Sequence, residues 1–204
     1  MALQNRVLPT GEIVAIPERG QFTGNRGILR FDGDRLAVPR WQHRRWIICD
    51  LEHPRGRYHG PRPQRAWTAL FFLDEAVALA AGHRPCAYCR PGAYGAYRAA
   101  WTRAFGSLAS ADAIDRALHA ARVTRDRRQV THVAQAGALP AGCLVAVEGA
   151  SWLLTAVGMR PFTPAGYGPP RGRIGGAVDV LTPAPTVAVL AAGFAPVLHR
   201  SAGP

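Results

Sequence analysis

Cysteine and histidine are the side chains here whose spacing can do chemistry. There are 4 cysteines and 7 histidines among 204 residues. Cys86-Ala87-Tyr88-Cys89 puts two thiols two residues apart on what reads as a tight turn. Such a pair can take two corners of a zinc tetrahedron. Upstream, Cys49 and His53 have three residues between them and suit a second ligand pair. Cys49, His53, Cys86 and Cys89 together would close a Cys3His zinc site of the structural type. Cys143 lies in an apolar stretch and reads as a small buried hydrophobe. No apolar leader is visible after Met1, so a cytoplasmic protein is expected, and thiols there ligate metals or stay buried.

The second chemistry is charge. Lys+Arg is 25 against 13 Asp+Glu, a net +12, and every one of those bases is arginine. A field of that sign favours polyanions. Between positions 39 and 67, Arg40, Arg44, Arg45, Arg55, Arg57, Arg62 and Arg65 alternate with Trp41, Trp46, Tyr58 and Trp67. Guanidinium groups neutralise phosphates and flat rings stack on exposed bases. DNA is the expected partner, with RNA as an alternative. Arg44, Arg45, Arg55, Arg57, Arg84 and Arg90 are the expected phosphate contacts, and Trp41 and Tyr58 the expected stacking rings. Arg116, Arg122, Arg125, Arg127 and Arg128 form a second basic cluster on or after a helix.

The elements that must position these groups are legible in outline. Ile13–Ile16 and Ile28–Phe31 read as strands, with Asp32-Gly33-Asp34 as a hairpin turn. Gly20–Gly27 between them reads as a β-turn loop, the alternative being a phosphate cradle. Asp74 can cap a helix from Glu75 to Ala81, with Gly82 as its stop. Pro91 opens a second helix whose Tyr94, Tyr97 and Trp101 share one face. Ser110 caps a third, to Val123, with Ile114, Ala117, Leu118 and Ala121 inward and Arg116 and Arg122 outward. Cys143–Val147 and Trp152–Ala156 make a hairpin. Pro161–Gly176, rich in Pro and Gly, reads as a mobile loop. Val178–Leu181 is a further strand, and a short helix, 185–192, ends at Gly193. The expected fold is α+β: an N-terminal β segment, a central zinc-binding helical region and a β-rich C-terminal part. Residues 1–204 are expected to form a single compact domain.

Leu70-Phe71-Phe72-Leu73 leads to an Ala-rich stretch and then Ala81-Gly82-His83-Arg84-Pro85-Cys86-Ala87-Tyr88-Cys89-Arg90-Pro91. This resembles the zinc-binding domain of Ada-type DNA alkylation repair proteins over residues 46–91. Trp46-Ile47-Ile48-Cys49 supplies the apolar approach and first cysteine of that family's upstream pair. His53 stands where the family has a second cysteine, so His83, His59 and His199 are reserve ligands. The resemblance implies that Cys49, the first upstream thiol, could accept a methyl group from a DNA phosphotriester. No methyltransferase nucleophile motif follows it.

The functional expectation is a zinc-containing protein that recognises damaged or modified DNA and acts as a repair hydrolase of base-excision type, a glycosylase or else a nuclease. Asp50 and Glu52, beside the proposed ligand and inside the basic segment, are the expected catalytic acids. A zinc-stapled nucleic-acid-binding module without chemistry is the alternative, and Cys49 methyl acceptance another. The absence of any His-x-Glu in the chain argues against a zinc deaminase, although Pro85-Cys86-Ala87-Tyr88-Cys89 fits the second half of that pattern. No apolar run reaches the ~18 residues of a membrane span. Charge and partner together suggest a nucleoid-associated cytoplasmic protein.

Overall fold

The computed structural model describes residues 2–53, 56–57, 67–124 and 128–203, with backbone only at 53, 56 and 57. The N-terminal part contributes β1 (Arg6–Val7), β2 (Ile13–Val14), β3 (Phe22–Asn25), β4 (Phe31–Asp32), β5 (Arg35–Leu36) and β6 (Ile47–Asp50). Then come β7 (Glu52–His53), β8 (Gly56–Arg57), β9 (Leu70–Phe72), α1 (Glu75–Ala80) and β10 (Arg84–Pro85). Two longer helices follow, α2 (Pro91–Phe105) and α3 (Ala111–Arg122). The C-terminal part holds β11 (His132–Gln135), β12 (Leu144–Val147), β13 (Ala150–Thr155), β14 (Gly158–Thr163), β15 (Gly166–Tyr167), β16 (Ala177–Val180) and α4 (Ala184–Ala191).

Two six-stranded sheets organise these elements. The first runs β10-β6-β3-β9-β1-β2; its β10–β6 and β9–β1 pairs are parallel. The second runs β11-β16-β12-β13-β14-β15 and is antiparallel throughout. The fold is thus α+β with a β-rich C-terminal part, as its sequence pattern predicts. One hydrophobic cluster joins the two sheets, from Val7, Ile48 and Phe72 through Leu79, Tyr97 and Ile114 to Val145 and Val189. A smaller one sets Ala76, Val77 and Ala80 of α1 against Leu144 and Leu153.

The helix caps follow local chemistry. Asp74 Oδ1 accepts from Val77 N at 2.9 Å and Ser110 Oγ from Ala113 N at 3.2 Å, each satisfying an amide the first turn leaves free. Pro91 sits at the first turn of α2. Gly82 takes φ +82, and a Cβ there would lie 2.4 Å from Arg122 Cδ. That glycine both ends α1 and admits the arginine.

Three readings of the sequence need correction. Gly20–Gly27 is not mainly a loop: Phe22–Asn25 is the buried β3, between β6 and β9. Gly24 belongs there because a Cβ would meet Ile47 O at 2.1 Å. In Ile28–Phe31 only Phe31 is in a strand, paired with Leu36. Pro161–Gly176 contains the end of β14 and all of β15, a hairpin the Pro and Gly content conceals. Phe162 and Tyr167 pair across it, and Tyr167 is buried.

Candidate metal centre

The thiols meet at the edge of the first sheet. β6 pairs with β3, with Thr23 opposite Cys49, and on its other side with β10, where Pro85 lies opposite Ile48. Cys86 N donates to Ile48 O at 2.9 Å, continuing that ladder by one residue and setting Cys86 beside Cys49. The chain then turns through Ala87 and Tyr88 to Cys89, closed by Arg90 N to Cys86 O at 3.0 Å. The three Sγ atoms of Cys49, Cys86 and Cys89 all lie within 4.8 Å of one another. Tetrahedral zinc thiolates stand roughly 3.8 Å apart, from Zn–S bonds of about 2.3 Å. The triad needs only a small contraction around an ion, so these three residues can hold a metal.

The surroundings favour negative charge on sulfur. Backbone amides of Tyr88 and Cys89 donate to Cys86 Sγ, and that of Asp50 donates to Cys89 Sγ. Bonds from Cys49, then Cys89, together with those amides, hold the Cys86 thiol far below its usual range. Cys49 is the converse: it donates to its neighbours, and those bonds with burial push it up. A cation bound by the three sulfurs would displace their remaining protons. Cys49 and Cys86 are each 8% exposed. Cys143 is fully buried in the main hydrophobic cluster, pushed up to about 12 by burial.

His53 enters β7 four residues after Cys49; its side chain lies outside the described residues, as do those of Arg55, Arg57 and Tyr58 and the whole of His59. The other reserve histidines serve elsewhere. His83 is buried between Trp46 and Phe72, where Nε2 accepts from Arg26 Nε at 3.3 Å. Burial, then Arg26 and Arg122, keep it neutral. His199 Nδ1 bonds Ser201 Oγ at 2.8 Å and caps a C-terminal turn.

The expected phosphate contacts divide. Arg44 and Arg45 are exposed. Arg84 is not a phosphate contact: it is 4% exposed and holds Asp115 through two bonds of 2.8 Å. Arg90 is likewise committed, with Nη1 on Glu75 Oε1 at 2.5 Å and Nε 3.1 Å from Asp50 Oδ1, over the Phe22 ring. Arg90 therefore ties α1, β6 and β3 together behind the thiols. The pattern of bases reads alike for all of these because local sequence does not say where a carboxylate will arrive from. Asp50 is thus the partner of Arg90, and Glu52 is exposed. Neither lines the cavity beside Trp41 or the one beneath Trp46.

Arg122 also departs from the pattern. It lies at 1% exposure under Gly82, not on the outer face of α3. Trp41 is half-buried against Trp46, ring centroids 5.6 Å apart. A cavity of about 400 Å³ lies beside it, lined by His43, Arg44, Arg45, Asp112, Arg116 and His119 among others. Arg116 and Arg128 are exposed, and Arg125 and Arg127 lie outside the described residues.

No family model, curated protein or solved structure matches this chain. Among the described residues no helix is long and apolar enough to cross a membrane.

Proposed function

We propose that this chain is a zinc-stapled nucleic-acid-binding protein whose partner is DNA. The observation that carries the reading is the thiol triad at the mouth of the basic segment. The strand that carries Cys49 is entered directly from Arg44, Arg45 and Trp46. An ion held by Cys49, Cys86 and Cys89 would lock that strand, and with it the exposed arginines beside Trp41. Zinc is the metal of choice because three thiolates suit a soft tetrahedral cation. His53 is the fourth ligand in this reading. The resemblance of residues 46–91 to Ada-type zinc domains supports it, as does the net charge of +12.

Arg44, Arg45 and Arg116, around the cavity beside Trp41, are the proposed phosphate contacts. The test is a salt titration of duplex DNA binding. Removing one arginine that neutralises a phosphate should lower the slope of log K against log salt by about 0.9. Arg44→Ala with Arg45→Ala should reduce it by about 1.8 and leave one zinc per chain. An unchanged slope sinks the assignment.

A base-processing enzyme is a second reading, favoured by the size of that cavity. About 400 Å³ beside exposed arginines and a half-buried tryptophan could receive an extruded base. In this version the acid comes from Asp112, which lines the cavity. End-labelled oligonucleotides carrying deaminated, alkylated, oxidised or hydroxymethylated bases test it. Strand breaks only after alkali mean base excision; no product alongside a salt-sensitive mobility shift leaves a binding module. Methyl acceptance by Cys49 is the less favoured reading, because the residue is only 8% exposed.

A further inference from the structure

Two arginines are buried with no salt-bridged acid among the described residues. Arg26 and Arg122 are 2% and 1% exposed. The Arg26 Cζ lies 3.9 Å and the Arg122 Cζ 3.7 Å from the Trp46 ring centroid. Both guanidinium groups therefore contact the same ring. Arg26 donates to His83 Nε2 and Gly11 O, each at 3.3 Å. Arg122 donates to Gly82 O at 2.5 Å and Arg44 O at 2.6 Å. These acceptors are neutral. Arg26 Nη2 and Arg122 Nε have no hydrogen-bond partner, and neither arginine has a salt bridge among the described residues. Asp115 favours the charge on Arg122 at a distance, but its own bonds go to Arg84.

Burying two like charges around one ring is costly unless an opposite charge arrives. The aromatic faces attract a cation but do not neutralise it. Desolvation alone pulls Arg26 down to about 9. Both arginines line a cavity of about 450 Å³ between the first sheet and the end of α3. Arg40, Trp41, Arg128 and Glu12 also line it. Four arginines and one glutamate among its lining residues carry a formal excess of three positive charges.

We propose that this cavity is an anion site for the phosphoryl group of a nucleotide, free or at the end of a DNA strand. Arg26 and Arg122 supply the buried cations, and Arg40 and Arg128 complete the cage. A phosphoryl group suits it better than a lone carboxylate, having more oxygens and more charge for several planar forks. The cavity exceeds what inorganic phosphate fills, and the half-buried Trp41 offers a flat wall for a base. The thiols take no part, so the site does not depend on the metal. It also does not depend on general DNA binding by Arg44 and Arg45.

The probes are deoxynucleoside 5′-monophosphates, pyrophosphate, and paired oligonucleotides with 5′-phosphate or 5′-hydroxyl ends, at matched ionic strength. A saturating ligand should raise Tm by about 5–10 °C. The test variant is Arg40→Ala with Arg128→Ala, chosen because neither side chain is buried and the fold should survive. It should keep the unliganded Tm and bind about tenfold more weakly or worse. Arg26→Met, if it folds, should abolish the shift. A response to free monophosphates identifies a metabolite. A response only to 5′-phosphorylated ends identifies a DNA terminus. No response to any phosphate-bearing probe, or an equal response in wild type and double variant, overturns the proposal. The 5′-hydroxyl oligonucleotide should bind both proteins equally through the general DNA-binding surface, and a 5′-phosphorylated one that binds no better than it, with no response to free nucleotides, overturns the proposal and leaves general DNA binding intact.

Discussion

Arg84→Met should cost stability and leave nucleic-acid binding unchanged, although Arg84 sits in a basic motif. Its side chain is 5% exposed and that of Asp115 is 3%. Nε and Nη2 reach the two carboxylate oxygens at 2.8 Å, a bidentate pair, and Nη1 donates to Pro85 O at 3.0 Å. Removing one member leaves Asp115 buried and uncompensated, a loss of about 3–5 kcal/mol for such pairs. For a chain of this size each kcal/mol moves Tm by about 2–4 °C, so the drop is roughly 6–20 °C. The double variant Arg84→Met with Asp115→Leu removes both charges and should recover most of that loss. Thermal and urea melts of the two variants and of Asp115→Leu alone complete the cycle, and a DNA salt titration runs in parallel. A single-variant loss under about 1 kcal/mol, or a double variant no better than the single, would refute the reasoning. A salt slope reduced by about 0.9 in Arg84→Met would return Arg84 to the interface.

Chelation should strip one metal per chain and lower Tm; Cys86→Ser should do so permanently, while Cys143→Ala keeps the metal, all read by elemental analysis. His53→Ala should weaken zinc retention in a chelator competition, and unchanged retention would remove it as fourth ligand. Cys143 and Tyr97 are each pushed up to about 12 by burial, from 9.0 and 10.0. Both stay protonated in the folded chain while the unfolded chain releases protons. Their stabilisation is thus complete below pH 9 and declines towards pH 12, by about 1.4 kcal/mol per pH unit per group. Urea melts against pH should show a shallower decline in Cys143→Ala. Gly82→Ala should lose about 1–3 kcal/mol from the left-handed backbone and the Arg122 contact, and Gly33→Ala, in open space, less.

What the sequence alone determined was local. Caps at Asp74 and Ser110, the Pro91 helix start, the Gly82 stop and the 144–155 hairpin all rest on neighbours within a few residues, so their chemistry is written in order along the chain. The Cys86–Cys89 pair was legible for the same reason, as a turn that brings two thiols together by itself. Tertiary structure decided everything that depends on distant partners. It brought Cys49 to that pair through the β6–β10 ladder. It hid β3 inside a glycine-rich stretch, because Gly24 is needed for the close approach of Ile47. It also sorted the arginines. Lacking lysine, the chain uses one side chain for solvent, buried salt bridges and the contacts on the Trp46 ring alike. Asp115, Glu75 and Trp46 reach their arginines from 31, 15 and 20 or more positions away, and no local pattern encodes that meeting. Whether a guanidinium group is a strut or a receptor is settled by which carboxylate packs beside it.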